Sequence, residues 1–396
     1  MRVVVVDLLC NSPYYCAPLV RALTASGAIA ELASPEFHLE PSALDGVPRP
    51  TWLVDLVVHA RRPRPLRLAV RSLELVLNLG QALRRIAGGG YDVVHVQWVP
   101  FEERSTAVMR LLRRAARRGG ARLVLTVHNP VPHDRPGANL ERIRRNLDLA
   151  DLLVAQTASV ADDLARAGTR TPVVVIPHGP LFADRPLPTR AEAAGRVDLA
   201  AAGPIVLFLG LLRPYKGLDL LADAWPRVRA EIADARLVVV GRLADAGARP
   251  DVDRLAALPG VEVRERYVSV PDLVDYHAAS DVVVFPYQRI SQSGAFMTAV
   301  GLGRPTVVTP IDGLREQAAG LESAIVATDT SGAALAEAIL TSLRRGDEAD
   351  RAARNDRDAV AASVTGWAAI AAATLAAYDR AGSSARVPAT PAVPER

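Results

Sequence analysis

Of the 47 basic side chains in this 396-residue chain, one is a lysine, Lys216, and the rest are arginine. A compact ammonium kept in so Arg-biased a composition marks a place where a point charge is preferred to a planar fork, and phosphate is a common partner for such a charge. Lys216 stands three residues after Arg213 in Gly210-Leu-Leu-Arg-Pro-Tyr-Lys-Gly217. Gly210, Pro214 and Gly217 are turn residues. The apolar run Val206–Leu209 precedes them and an amphipathic stretch opens at Leu218, so the segment reads as strand, short loop and helix. A loop at the carboxyl end of a strand is where open α/β sheets hold ligands. A solvated surface lysine is the alternative.

Three further clusters carry chemistry-bearing residues. Ser291-Gln-Ser-Gly294 follows a buried strand ending at Phe285-Pro286 and opens a helix over Ala295–Leu302. Backbone N–H groups at such a helix start attract anions, although Ser293 reads equally as a plain N-cap. His128, Asn129, His133 and Asp134 follow the apolar run Leu123–Val127. His128 is either a functional or a structural histidine, and His133 with Asp134 is either an acid–base pair or a loop hydrogen bond. Asn11, Tyr14 and Tyr15 follow the first strand. His95 lies inside a strand and reads as packed. Carboxylate pairs, Ser-His-Asp arrangements and zinc-ligand spacings are absent, which argues against a hydrolase or metalloenzyme.

The elements that position these residues alternate. Strands are expected at Val3–Val6, Asp92–Gln97, Arg122–Val127, Asp151–Ala155 and Val173–Ile176, with helices at Pro18–Ser26 and Glu103–Arg118. Leu181–Ala202 has a loose pattern and reads as an interdomain linker. The alternation restarts with strands at Ile205–Leu209, Arg236–Val240, Val261–Arg264, Val282–Phe285, Thr306–Thr309 and Ala324–Ala327. Continuous β-branched runs between helices imply parallel sheets covered on both faces. Ser363–Tyr378 reads as an Ala-rich helix and 381–396 as a disordered tail.

The quoted stretches resemble the family-4 glycosyltransferases. Gly210-x-x-Arg213-x-x-Lys216-Gly217 is similar to their G-x-x-R-x-x-K-G loop. The resemblance continues through Val238–Gly241, Tyr276–Pro286 and Gly301–Thr309, and more loosely through the first half. It implies an α/β GT-B protein, two Rossmann-like domains with parallel sheets facing across a cleft. The expected boundaries are 1–185 for the acceptor domain, 186–203 for the linker and 204–362 for the donor domain. A helix over 363–380 would cross back to the first domain.

The implied activity is transfer of a hexose from a nucleotide-diphospho-sugar to an acceptor hydroxyl, with retention and without metal or resident cofactor. Gly210, Arg213, Lys216, Ser293 and Gly294 would hold the diphosphate and Tyr267 and Val268 the base. Thr298 would meet the ribose and Gln292 the sugar. Glu316 would touch the donor or cap a helix, and His128 would lie beside the donor sugar. His133, with Asn11, Tyr14 and Tyr15, would face the acceptor. The sequence departs from the family where relatives carry a Glu-x7-Glu pair: those positions are Ile290 and Thr298. An epimerase or hydrolase on the same fold, or a silent nucleotide-sugar-binding subunit, therefore stays open.

Composition limits the partners. Residues 1–190 carry 25 arginines against 17 acidic residues, and the remainder 22 basic against 26 acidic. The basic first half suggests an anionic partner: a lipid phosphate, an anionic membrane face or a charged substrate. No aromatic–basic interleaving accompanies it, so nucleic acid is not expected. Within Pro63–Arg85, leucines and valines alternate with arginines, either as a basic amphipathic face on a membrane or as a core helix with a solvated Arg side. No run of about twenty apolar residues suggests a membrane span. Cys10 and Cys16 form no metal or disulfide framework, and a cytoplasmic setting fits, either free or peripheral at the inner membrane face.

Overall fold

The computed structural model describes residues 1–37, 39–56, 64–99, 106–128, 140–199 and 203–381. Asn129, His133, Asp134 and all but the first residue of the expected tail lie outside them. The first half runs β1 (Arg2–Val6), α1 (Pro13–Ala25), β2 (Ile29–Ala33), α2 (Arg64–Ala87), β3 (Val93–Val96), α3 (Thr106–Gly119), β4 (Arg122–Val127), α4 (Leu140–Leu147), β5 (Leu152–Ala155), α5 (Ala158–Arg166) and β6 (Val173–Val175). Its six strands pair in parallel in the order β2-β1-β3-β4-β5-β6.

The second half runs α6 (Arg190–Arg196), β7 (Ile205–Leu209), α7 (Leu218–Glu231), β8 (Arg236–Val240), α8 (Arg249–Ala256), β9 (Val261–Arg264), α9 (Val270–Ala279), β10 (Val282–Phe285), α10 (Gly294–Gly301), β11 (Thr306–Val308), α11 (Asp312–Ala318), β12 (Ala324–Val326), α12 (Gly332–Arg345), α13 (Asp347–Ala362) and α14 (Trp367–Arg380). Its sheet is again parallel, in the order β12-β11-β10-β7-β8-β9. Two Rossmann-like domains of this kind make the GT-B fold expected above.

The valine runs explain the sheets. Val3–Val6, Val282–Phe285 and Val238–Val240 are at most 3% exposed, because helices cover both faces and each β-branched side chain finds a packed neighbour. In the first domain one face of the sheet packs under α2, α3, α4 and α5, the other under α1 and α14. Each sheet reverses its strand order beside its first strand, between β1 and β3 and between β7 and β10. Ligands in such sheets sit in the crevice at the reversal.

Four local readings change. Helix α1 starts at Pro13, five residues before expected, with proline at the first helical position, where a missing N–H costs nothing. Strand β2 was not anticipated, because Ile29-Ala-Glu-Leu-Ala33 lacks a β-branched run. The stretch taken as a loose linker contains α6, closed by a capping box between Thr189 and Glu192 and buried through Ala193, Ala194 and Val197 in the second domain's core. Finally, Asp347–Arg380 is long and apolar enough over one window to cross a bilayer, contrary to expectation. It breaks between Ala362 and Trp367 into α13 and α14. Helix α14 lies on the first domain: Trp367 Nε1 donates to the Pro180 carbonyl at 2.8 Å and Tyr378 Oη meets His95 Nδ1 at 2.6 Å. His95 is thus packed, and burial pushes its pKa down to about 3.

Candidate functional site

The loops after β7 and β10 meet at the strand-order reversal of the second sheet. Gly217 has φ 71°, and a Cβ there would fall 1.7 Å from the Pro286 carbonyl oxygen, so only glycine lets the two backbones touch. This contact carries Lys216 inward. Its Nζ sits 3.6 Å from the centroid of the Tyr287 ring and 5.4 Å from that of Tyr215. Lys216 is 9% exposed, and no carboxylate among the described residues pairs with it. Burial first, and then the Arg213 guanidinium, bring its pKa down to about 7. An ammonium held this way is short of an anion. Gly210 borders open space, leaving room beside the loop.

The start of α10 adds backbone donors, with a correction. Ser293 is not open: its hydroxyl accepts from Phe296 N–H at 3.2 Å, and its own N–H donates to Gln317 Oε1 at 2.7 Å. Its capping role has consumed it. The amides without an acceptor among the described residues are those of Gly294 and Ala295. Gln292 keeps a buried Oε1 with no partner. Thr298, expected at a ribose, is 5% exposed and donates its hydroxyl to the Gly294 carbonyl at 2.9 Å. One helical turn brings that carbonyl within reach, so the proton is spent inside the helix.

Across the seam, His128 ends β4. Its ring stacks on Trp98, with centroids 4.6 Å apart and planes within 5°, and Trp98 in turn donates to Ser12 Oγ at 2.7 Å. Tyr15 meets His128 edge-on at 6.0 Å and His178 at 4.9 Å. Burial, then the nearby His178, push the His128 pKa down to about 3, so its imidazole is neutral. Its Nε2 is buried, and the buried Gln156 side-chain amide interacts with it and with Tyr15. A Cβ on Gly294 would lie 3.6 Å from His178 Nε2, and Thr157 Oγ1 donates to the Ser291 carbonyl at 3.2 Å. The His128 cluster therefore abuts the α10 amides.

Other expected residues are placed differently. Tyr14 and Tyr15 are consecutive on a helix and so face different ways. Tyr15, 4% exposed, supports the two histidines from beneath and offers no surface to an acceptor. Tyr14 turns to the interdomain seam, where its hydroxyl donates to Glu40 at 2.9 Å and approaches Tyr267 at 3.5 Å. It lines a cavity of about 480 Å³ together with Glu40, Phe182, Arg185, Val270 and Trp367. Tyr267 also reaches Glu40, at 3.3 Å, and Val268 lies half-buried beside it. The Asn11 N–H donates to buried Asp7 at 3.1 Å, which shapes the turn after β1. Glu316 spends its carboxylate on the first two amides of α5, Ala158 at 2.5 Å and Ser159 at 3.2 Å. It caps a helix of the opposite domain, where the helix dipole favours it, which is the second of its two expected roles.

His178, in the Pro177-His178-Gly179 turn that the resemblance marks as structural, joins the site, and Trp98, Gln156, Tyr287 and Gln317 were not singled out by type and spacing. Each of these four sits one or two residues beyond a strand end or in a neighbouring helix, and that position was the available signal.

Residues 203–345 match the family described as Glycosyl transferases group 1, and residues 14–179 match Glycosyltransferase Family 4. The chain belongs to the family-4 glycosyltransferases. It is 30% identical over 323 residues to a D-inositol 3-phosphate glycosyltransferase of Geodermatophilus obscurus, covering 76% of this chain and 70% of that one. It is 31% identical over 260 residues to the enzyme of the same description from Kineococcus radiotolerans, covering 59% of this chain and 58% of the relative. The second match thus spans less than two thirds of that relative's length. Among solved structures, Anabaena HepE in complex with UDP-glucose superposes with a TM-score of 0.68 at 16% identity, covering 95% of this chain and 99% of that one.

Proposed function

We propose that this glycosyltransferase moves a hexose from a nucleotide-diphospho-sugar to an acceptor hydroxyl with retention of configuration. The observation that carries the reading is Lys216, a buried ammonium without a carboxylate partner among the described residues, at the strand-order reversal beside the open amides of Gly294 and Ala295. In this reading Arg213, Lys216 and those two amides take up the charge of the departing diphosphate, so no metal is called for. The acceptor hydroxyl attacks from the face the leaving group vacates, and a leaving phosphate oxygen accepts its proton. Neutral His128, fixed by Trp98 and Tyr15, and the side-chain amides of Gln156 and Gln292 would receive sugar hydroxyls. Donor recognition by neutral groups fits the absence of carboxylates at Ile290 and Thr298. Two free, buried cysteines fit a reducing compartment, and we place the reaction in the cytoplasm. Soluble sugars, lipid-linked sugars and secondary metabolites all remain acceptor classes for this cleft.

The missing carboxylates also favour a second reading, a silent nucleotide-sugar-binding subunit. Incubation with UDP-glucose, GDP-mannose and other nucleotide-sugars, with detection of free nucleotide, decides between them. Turnover that falls at least a hundredfold in Lys216→Ala supports the transferase. Tight donor binding without nucleotide release, across donors and acceptors, supports the silent subunit.

A further inference from the structure

Helix α2 is turned opposite to the usual pattern of a core helix. Its inward side holds polar Glu74 and Asn78, 3% and 0% exposed, with Leu75, Ala82 and Ile86. The two polar groups are satisfied: Glu74 accepts from Leu56 N–H at 2.7 Å and pairs with Arg71, and Asn78 exchanges two bonds of 2.8 Å with Val54. Meanwhile Leu66, Leu73, Val76 and Leu77 are 42–66% exposed. At about 100° per residue these four fall on one stripe with Ala69, Gly80 and Arg84. A soluble helix scatters single exposed leucines; a continuous stripe over some three turns marks a contact surface.

The charge around the stripe says what fits it. Arg84 and Arg85 close α2 and are exposed. Helix α3 packs beside α2 on the same face of the sheet, so the outward sides of both look the same way. Helix α3 exposes Arg110, Arg114, Arg117 and Arg118 around an exposed Leu111 and contains no acidic residue. None of these six arginines forms an ion pair among the described residues. We infer that the α2–α3 face docks on an anionic lipid bilayer, the stripe entering the headgroup boundary and the arginines meeting lipid phosphates. An apolar stripe rimmed by one sign of charge matches an interfacial helix. A second copy of the chain would bring six arginines against six and be repelled.

Vesicle flotation of the whole protein tests this, comparing pure phosphatidylcholine with phosphatidylcholine containing phosphatidylglycerol. The expected result is binding to the anionic vesicles alone, weakened by salt. Leu73→Gln with Val76→Gln and Leu77→Gln, all exposed positions that the fold tolerates, lowers partition at least tenfold. Arg84→Glu with Arg85→Glu lowers it roughly 25-fold, about fivefold per arginine near an anionic surface. Thermal unfolding and donor binding by these variants match the parent. Equal binding to neutral vesicles, absence of binding, or a stripe variant that binds unchanged overturns the inference. So does a parent that sediments as a dimer which the stripe variant splits. Failure here leaves donor binding and nucleotide release untouched, so the proposed transfer stands or falls separately.

Discussion

With Lys216 at the diphosphate, donor binding should depend on pH. Its pKa falls from the ordinary 10.5 to about 7, and at about 1.4 kcal/mol per pH unit the free protein opposes the charged ammonium by about 5 kcal/mol. A diphosphate in the crevice supplies the missing anion and restores the charge. A nucleotide-sugar has only diester phosphates, which do not titrate near neutrality, so the lysine alone takes up the proton. From about pH 7 to about pH 9, donor affinity should fall by up to about tenfold per pH unit, with close to one proton taken up per donor bound. Calorimetry with UDP-glucose and GDP-mannose, in two buffers of different ionisation enthalpy, reads both quantities. Lys216→Met should bind more weakly at pH 7 and show neither the slope nor the proton uptake. Stability carries the opposite sign. The lowered pKa penalises the folded state most below about 7, and the penalty is relieved as pH rises from there towards 10.5, so Lys216→Met should gain stability at neutral pH. Donor binding without proton uptake and flat with pH, or unchanged in Lys216→Met, would refute the placement of this ammonium at the diphosphate.

Other expected outcomes are narrower. Gln156→Leu removes the buried amide that meets His128 and Tyr15, so it should cost about 1–3 kcal/mol of stability and lower sugar transfer tenfold or more; unchanged transfer would count against Gln156 as a sugar contact. Glu316→Ala should cost about 1 kcal/mol as a lost helix cap and change kcat/KM for the donor by less than tenfold, whereas a donor ligand would lose a hundredfold or more. A Cβ on Gly179 would lie 2.6 Å from Trp367, so Gly179→Ala should cost about 1–3 kcal/mol and shift tryptophan fluorescence as α14 loosens; an unchanged spectrum would count against that contact. His95, His128, His178 and His277 are held neutral by burial, at about 3, 3, 4 and 4. The unfolded chain binds more protons below about pH 6.5, so stability should fall steeply with acid, by up to about 1.4 kcal/mol per pH unit for each histidine, as followed by denaturant titration.

What the chain's order of residues determines here is local. Valine runs separated by helices dictate two parallel sheets, because buried strands need apolar side chains on both faces. Gly210 to Gly217 dictates a tight loop, since proline and glycine fix the backbone within a few residues. The solitary Lys216 stands out as a candidate phosphate partner for the same reason: its type and neighbours are local. Tertiary structure decided which of these groups are free. Ser293 reads as an anion site until Gln317, 24 positions away, occupies its N–H. Glu316 reads as a donor contact or a helix cap, and the helix it caps is known only when the opposite domain presents the start of α5. Tyr14 and Tyr15 part company only when α1 is docked, and Thr189–Glu192 becomes a buried helix only against the second core. Hydrogen bonds and burial are settled by partners distant in sequence, so a residue's chemistry could be read from the chain, but its availability could not.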